Sequence, residues 1–392
     1  MRPGRSQGPR IALVSYSNKP RGGVVHTLSL AEAMVRQGMS VRVVSIGDPT
    51  EGFYRPVRAP FTLVPPPLAA ATLDERVFAS IDALEAGLAD IADDVDILHT
   101  QDCISARAAV RVQKAGADVQ VVRTVHHVDD FTTQALIDCQ RQAILEPDRL
   151  VVVSEDWRAR LHREYDVAAE VIHNGVDAAR LPPIDAARRT ALRSSVGIEG
   201  RFVFLAVGGV EPRKGSVFLF QALARLAKQL DTPPALVVVG GHSFQDYTQY
   251  RDDALAMLAD LGLELGRDVI LAGTVSDTRL HEWYRSADAL AFPSVKEGWG
   301  LAVLEAMSAD LPVVASDIPV LLEYLVDGQN ARLTRVADPV SLAAGMADVA
   351  TDADLRALLI AGGRQVVPAY SWERAADRHR QLYLREAVVA IT

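Results

Sequence analysis

The sequence predicts an α/β protein built from two doubly wound, Rossmann-like domains that face each other across a cleft. Three observations lead there. Apolar, β-rich runs alternate with segments of helical periodicity, and the alternation occurs twice, on either side of a polar, proline-bearing connection at about residues 175–198. A length of 392 residues suits two domains of ordinary size. Finally, the stretch from Ala287 to Met307 passes from an apolar strand through a glycine turn into a short helix. In open α/β sheets ligands bind at such carboxyl ends of strands.

The elements follow in order. Arg10 to Tyr16 reads as a strand, and Gly22-Gly23 follows the polar loop after it. Val24, Leu28, Ala31 and Val35 recur at helical spacing, Gly38 ends that helix, and Ser40 to Ile46 is the next strand. Val57 to Pro67 is extended and ends in a triple proline. Helices are expected over Leu73–Ala92, Ile104–Ala115 and Trp157–Tyr165, with strands over Val95–His99, Val119–Val125 and Leu150–Ser154. The strand ending at Val125 delivers His126-His127-Val128-Asp129-Asp130 into a loop. His173 to Asp177 is a turn by composition, and the charged Asp185 to Arg193 reads as a surface connection. In the second half, strands are expected over Phe202–Val207, Ala235–Val239, Val269–Ala272, Ala287–Phe292 and Pro312–Ala315. Helices follow Gly215 and fill Tyr247–Leu261, Asp277–Ser286, Leu301–Ala309 and Val340–Ala350. An arginine-rich helix from Ser371 to Val389 ends the chain.

Composition narrows the function. A net charge of −9 leaves no basic surplus to neutralise phosphates along a nucleic acid, so no nucleic-acid partner is expected. Cys103 and Cys139 are too few for a disulfide framework or a zinc knuckle, which fits a reducing cytoplasm. Met1 to Arg10 is polar with no apolar core after it, and no run reaches the roughly 20 apolar residues of a membrane helix. Export and membrane spanning are therefore not expected, while peripheral membrane contact stays open.

Candidate chemistry gathers in three places. Glu297 and Glu305 flank the turn Gly298-Trp299-Gly300, and the N–H groups from Gly298 to Leu301 open a helix without intrahelical partners. An anion or a polar hydroxyl cluster suits such a site, although glycine turns before helices are also common without function. Arg213 and Lys214 lie in the glycine-bounded loop Gly208-Gly209 to Gly215, where cations beside free helix N–H groups suit a departing diphosphate; a solvated surface loop is the plainer alternative. His126 reads as a substrate-contacting group or a structural histidine, and its neighbours are spaced too tightly for one metal, so no metal site is expected. Asp94 and Asp96 precede a strand and read as surface capping. A nucleophile elbow, a Walker loop and a dinucleotide fingerprint are all missing, which removes those hydrolase, ATPase and dehydrogenase readings.

Taken together, these residues resemble the family-4 retaining glycosyltransferases of GT-B fold, also described as glycosyl transferase group 1. The likeness runs from Arg10 to about Tyr383 and is strongest at Glu297-Gly298-Trp299-Gly300-Leu301 through Glu305, the family's E-x7-E signature. Gly22-Gly23, Thr124-Val125-His126, His173 to Asp177, Lys214-Gly215, Ser286-Ala287-Asp288 and Pro312 to Ser316 support it by order and spacing. The resemblance implies an acceptor-side domain over 1–175, a donor domain over 176–370, and a helix from 371 to 392 crossing back to the first domain. It implies a nucleoside-diphosphate sugar as co-substrate, no metal or other cofactor, and transfer of the sugar to an acceptor hydroxyl with retention. Glu305 would hold the ribose; Glu297 and the amides of Gly298, Trp299, Gly300 and Leu301 would meet sugar and phosphate. Lys214, with Arg213 and the Gly209 loop, would meet the diphosphate. His126 would contact the sugar, and Gly22 and Gly23 would present amides to phosphate or acceptor.

Departures from the family pattern are visible. Gly209 stands where family members commonly carry an arginine, and Arg213 is the available substitute. Asp310 replaces a usual glycine, and Gln101 a common histidine. A non-catalytic nucleotide-sugar binder and a sugar-nucleotide epimerase of the same fold remain the alternatives. Donor base, sugar, acceptor and oligomeric state are not legible in the sequence.

Overall fold

The computed structural model describes residues 8–68, 71–241 and 247–389; the polar start of the chain, Met1 to Gln7, lies outside them. Its elements are β1 Ile11–Ser15, α1 Gly22–Arg36, β2 Val41–Ile46, β3 Phe61–Val64, α2 Leu73–Ala89, β4 Ile97–Thr100, α3 Cys103–Lys114, β5 Gln120–Val125, α4 Gln134–Leu145, β6 Arg149–Val152, α5 Glu155–Tyr165 and β7 Glu170–Val171. They continue with α6 Ala186–Ser194, β8 Val203–Val207, α7 Ser216–Ala227, β9 Ala235–Val239, α8 Thr248–Asp260, β10 Val269–Gly273, α9 Asp277–Ser286, β11 Ala289–Phe292 and α10 Leu301–Ser308. The remainder are β12 Val313–Ser316, α11 Pro319–Leu322, β13 Arg332–Thr334, α12 Pro339–Thr351, α13 Ala353–Val366 and α14 Trp372–Val389.

The chain divides into two compact units, one running to Gly175 and resuming at Trp372, the other Val176–Ser371. The first holds the parallel sheet β3-β2-β1-β4-β5-β6-β7, and the second β10-β9-β8-β11-β12-β13. In each, the order reverses between the first strand and its fourth, so the loops at that switch point form the crevice where ligands bind. For the first unit these loops follow β1 and β4; for the second they follow β8 and β11.

The central strands are buried on both faces, and β1, β9 and β11 are buried throughout. Parallel strands covered by helices read as continuous Val/Leu/Ile runs for this reason. In the second unit Phe204, Leu236, Val238, Ala291 and Val314 of the sheet pack with Phe220 and Leu223 of α7 and Met346 of α12 in one apolar cluster. In the first, α14 lies on α1: Trp372 meets the His26 ring edge-on at 5.3 Å, Arg36 pairs with Glu373, and the buried Tyr383 hydroxyl meets His99 Nδ1 at 2.5 Å.

Several expectations need correction. Asp185 to Arg193 is not an open connection. Asp185 caps α6, whose Arg188 pairs with Glu282 and whose Arg189 and Arg193 pair with Asp288, pinning it to α9. Gly22-Gly23, after the polar loop, forms the first turn of α1. Helices α4 and α13 and the short edge strands β7 and β13 were not expected from the sequence. Asp96 does hold the sheet edge as a capping residue, accepting the Arg10 backbone N–H at 2.8 Å and its guanidinium at 2.8 Å.

Candidate active site

In the second unit both switch-point loops carry charge, and they meet. Lys214, at the end of a 3-10 turn Pro212–Lys214, extends past Gly208 and donates to Glu297 Oε1 at 2.6 Å. Gly208 has φ +133°, and a Cβ there would lie 2.9 Å from Lys214 Cε, so only glycine leaves the lysine its path. Arg213 Nη1 approaches the same oxygen at 3.4 Å, and Ser294 Oγ donates to it at 2.9 Å. Arg213 Nε also donates to Glu211 Oε2 at 3.1 Å. The backbone ties the loops together, with Val295 N–H donating to Arg213 O at 2.8 Å.

Electrostatics fix the state of this cluster. Burial pushes Glu297 up, but Lys214, Arg213 and Ser294 outweigh it and hold the carboxyl below its ordinary range. Desolvation lowers Lys214, and Glu297 opposes that, so the pair stays ionised at neutral pH. Two cations thus face two carboxylates, Glu211 and Glu297. The site carries no net positive surplus of its own, and a phosphate arriving here competes with Glu297 for the lysine.

Helix α10 begins at this cluster. Gly300 caps it with φ +91° and no side-chain hydrogen bond, and an added Cβ would sit 2.8 Å from both Leu321 Cδ2 and the Tyr324 hydroxyl. The first N–H groups of α10, beginning at Leu301, therefore lack a side-chain cap, and the same holds for α7 after Gly215. Trp299 is buried, its ring against Tyr324 at 5.0 Å and Tyr370 at 5.2 Å, while the Tyr324 hydroxyl donates to the Trp299 carbonyl at 3.0 Å. Its side chain shapes the turn, and its backbone is what a ligand can meet.

Glu305 lies one turn further along α10. The Tyr284 hydroxyl of α9 donates to its Oε2 at 2.6 Å, and no described residue donates to Oε1. Burial pushes the Glu305 carboxyl up to about 7; the Tyr284 hydrogen bond and Arg180 oppose this, and Asp277 reinforces it. Sequence reasoning found Glu305 and missed Tyr284, because nothing in α9's periodicity indicates which of its faces meets α10.

Gly209 and Gly241 follow β8 and β9, and their backbones touch: a Cβ on Gly209 would lie 2.4 Å from the Gly241 carbonyl oxygen. No side chain fits there, and Arg213 is the guanidinium that the same loop carries.

In the first unit His126 follows β5 and donates its Nε2–H to Gln101 Oε1 at 3.1 Å, beyond β4. Burial, then the neighbouring His127, His99, Arg123 and His379, push its pKa down to about 3, so the ring is neutral at physiological pH. Its ring meets His26 of α1 edge-on at 4.6 Å, and a Cβ on Gly23 would touch it at 3.9 Å. Gly22 and Gly23 have room for a methyl; their N–H groups open α1, whose N-cap Arg21 makes no side-chain cap. His127 turns to Asp129 at 3.4 Å, and among the described residues no group of three or more His, Cys, Asp or Glu side chains is placed to hold a metal ion. No helix among them is long and apolar enough to cross a membrane.

Comparison with known proteins agrees with this layout. Residues 20–180 match the model of the Glycosyltransferase Family 4 and residues 188–366 that of the Glycosyl transferases group 1. A D-inositol 3-phosphate glycosyltransferase of Xylanimonas cellulosilytica is 28% identical over 96% of this chain and 97% of its own. That of Jonesia denitrificans is 30% identical, covering 75% of this chain and 73% of its own. Among solved structures, sucrose-phosphate synthase from Thermosynechococcus elongatus superposes with a TM-score of 0.80 at 21% identity, over 97% of this chain and 100% of that one. Anabaena HepE in complex with UDP and glucose gives 0.79 at 18%, with the same coverage. The chain thus belongs to the group 1, family 4 glycosyltransferases: it has the GT-B fold, transfers a sugar from a nucleotide-sugar donor, and falls in a family that retains the anomeric configuration.

Proposed function

We propose that the donor is a UDP-sugar and that the second unit holds it. The observation that carries this is the meeting of Lys214, Arg213 and Glu297 between the switch-point loops, beside the uncapped first turns of α7 and α10. In this reading the diphosphate takes Lys214 and the amides of Gly298 to Leu301, with Arg213 and the Gly209 loop beside it. Glu305 accepts from the ribose hydroxyls through its open Oε1. UDP is chosen because HepE carries UDP and glucose. Glu297, released from Lys214, faces the sugar.

The first unit contributes the acceptor side. His126, neutral and fixed through Gln101, accepts a hydrogen bond from a sugar hydroxyl, and the α1 N–H groups at Gly22 and Gly23 take phosphate or acceptor. The bond from the anomeric carbon to the diphosphate oxygen breaks as the acceptor oxygen bonds on the same face. The acceptor proton passes to the departing oxygen, whose charge Lys214 and Arg213 offset. His126 is too weak a base at its lowered pKa to take that proton. The names of the relatives put phosphorylated inositols first among acceptors to try. Two free, buried cysteines fit a cytoplasmic enzyme.

The test is a thermal-shift screen of UDP-, ADP-, GDP- and dTDP-sugars on the full chain, then mass spectrometry of products with inositol phosphates and cell extract. A UDP-sugar giving the largest shift and a glycosylated product is the expected result. Preference for another base rejects the donor assignment, and tight binding without any product favours a nucleotide-sugar sensor.

A further inference from the structure

Tyr284 is fully buried at the end of α9, yet its one polar atom is aimed at the site. A buried tyrosine hydroxyl needs a partner, and a neutral carbonyl serves that need at low cost. Here the partner is the carboxylate of Glu305 at 2.6 Å, and the hydrogen bond takes Oε2 alone. A carboxylate held by one oxygen is fixed in rotation, with its second oxygen presented in a single direction. The other charged groups around it lie on α9 and the turn before α6: Asp277 and Arg180, which pair with each other, and His281, 3.8 Å from Asp277. At the far end of α10, Asp310 is held by Arg285 and Arg364, so that end adds no free charge.

We propose that Tyr284 is a positioning residue for the nucleotide: its hydroxyl locks Glu305 by one oxygen and leaves the other to accept from the donor's ribose. The inference rests on the ribose reading of Glu305 given above. Two consequences separate it from a packing role. The tyrosine donates to the ionised carboxylate, so removing the hydroxyl weakens that form in particular and moves the titration of binding to higher pH. Asp277 acts in the opposite sense, since its charge disfavours the ionised form of Glu305.

The experiment is calorimetric titration of the full chain with UDP from pH 6 to 9, for the wild type, Tyr284→Phe, Asp277→Asn, Glu305→Gln and the Tyr284→Phe/Glu305→Gln double variant. Wild-type affinity falls as pH drops through about 7, where Glu305 takes its proton. Tyr284→Phe binds about threefold more weakly at pH 7.5, close to tenfold more weakly at pH 6, and recovers toward wild type at pH 9, its midpoint moved up by about one unit. In turnover the loss appears in the donor KM and not in kcat at saturation. Asp277→Asn moves the midpoint down. Glu305→Gln is weak and flat with pH, and the double variant is no weaker than it. A Tyr284→Phe profile that overlays the wild type, or is lowered uniformly with an unmoved midpoint, overturns the proposal. Should Tyr284→Phe fail to fold, an unmoved midpoint in Asp277→Asn overturns the proposal through its premise, since Glu305 then does not govern the titration of binding. If Glu305→Gln binds UDP like the wild type, the ribose reading itself falls, a different outcome from failure of Tyr284 alone.

Discussion

Replacing Lys214 with methionine keeps the stem that crosses Gly208 and lies over the Phe292 ring, and removes only the ammonium. What remains is a Glu297 carboxylate 8% exposed, with Ser294 at 2.9 Å and Arg213 at a looser 3.4 Å. Removing one partner of a buried ion pair costs about 3–5 kcal/mol when nothing replaces it. Because Ser294 and Arg213 persist, we expect a cost at or below the bottom of that range, about 2–3 kcal/mol at pH 7. For a unit the size of Val176–Ser371 this lowers the melting temperature by roughly 4–12 °C. The pH dependence carries a second signature. Glu297 has a lowered folded-state value, so its contribution in the wild type is present above the ordinary carboxylate range and lost as pH falls through the lowered value. In the variant burial prevails more, the carboxyl is higher, and the penalty relative to wild type shrinks on acidification toward pH 4. Urea unfolding of the full chain at pH 7.5 and pH 4.5 reads both, and Lys214→Met/Glu297→Gln should recover most of the loss. A single variant within 0.5 kcal/mol of wild type at neutral pH, or a penalty that grows with acid, refutes the coupling.

Two further outcomes follow from the geometry. His379 is fully buried on α14, its Nδ1 donating to Ala375 O and its Nε2 without a partner, and burial pushes its pKa down to about 4. The unfolded chain binds this proton near 6.5, so stability falls as pH drops below that value and levels off below about 4; at pH 5 the loss from this one ring is about 2 kcal/mol. Buried His26 and His99 act in the same direction. His379→Met should flatten the urea-measured stability between pH 7.5 and 5 by about that amount; superimposable slopes would disprove it. Gly209→Ala, with its methyl 2.4 Å from the Gly241 carbonyl, should cost about 1–3 kcal/mol, and a melting temperature unchanged from wild type would mean the two glycine loops separate easily.

The helices the sequence missed show where one-dimensional reading stops. The charge of α6 reads as a surface connection because its partners, Glu282 and Asp288, stand more than 90 residues away along the chain. In α13 a Cβ on Gly362 would meet the Gln329 carbonyl at 2.0 Å, so close packing against another segment explains a glycine inside this helix. The site was legible where it depends on local chemistry, as at Glu297 and Lys214, which lie in the loops after β11 and β8. It was illegible where a partner arrives from another element, as with Tyr284 of α9.

The order of strands and helices, the two sheets and the turn residues come from the chain itself, because periodicity, glycine and proline act over a few residues. Only the tertiary structure decides that Lys214 and Arg213 are spoken for by Glu297 and Glu211, that Trp299 packs inward, and that Glu305 titrates near neutral pH. Those properties depend on distance and burial, which fold by bringing together residues that sequence spacing leaves unrelated.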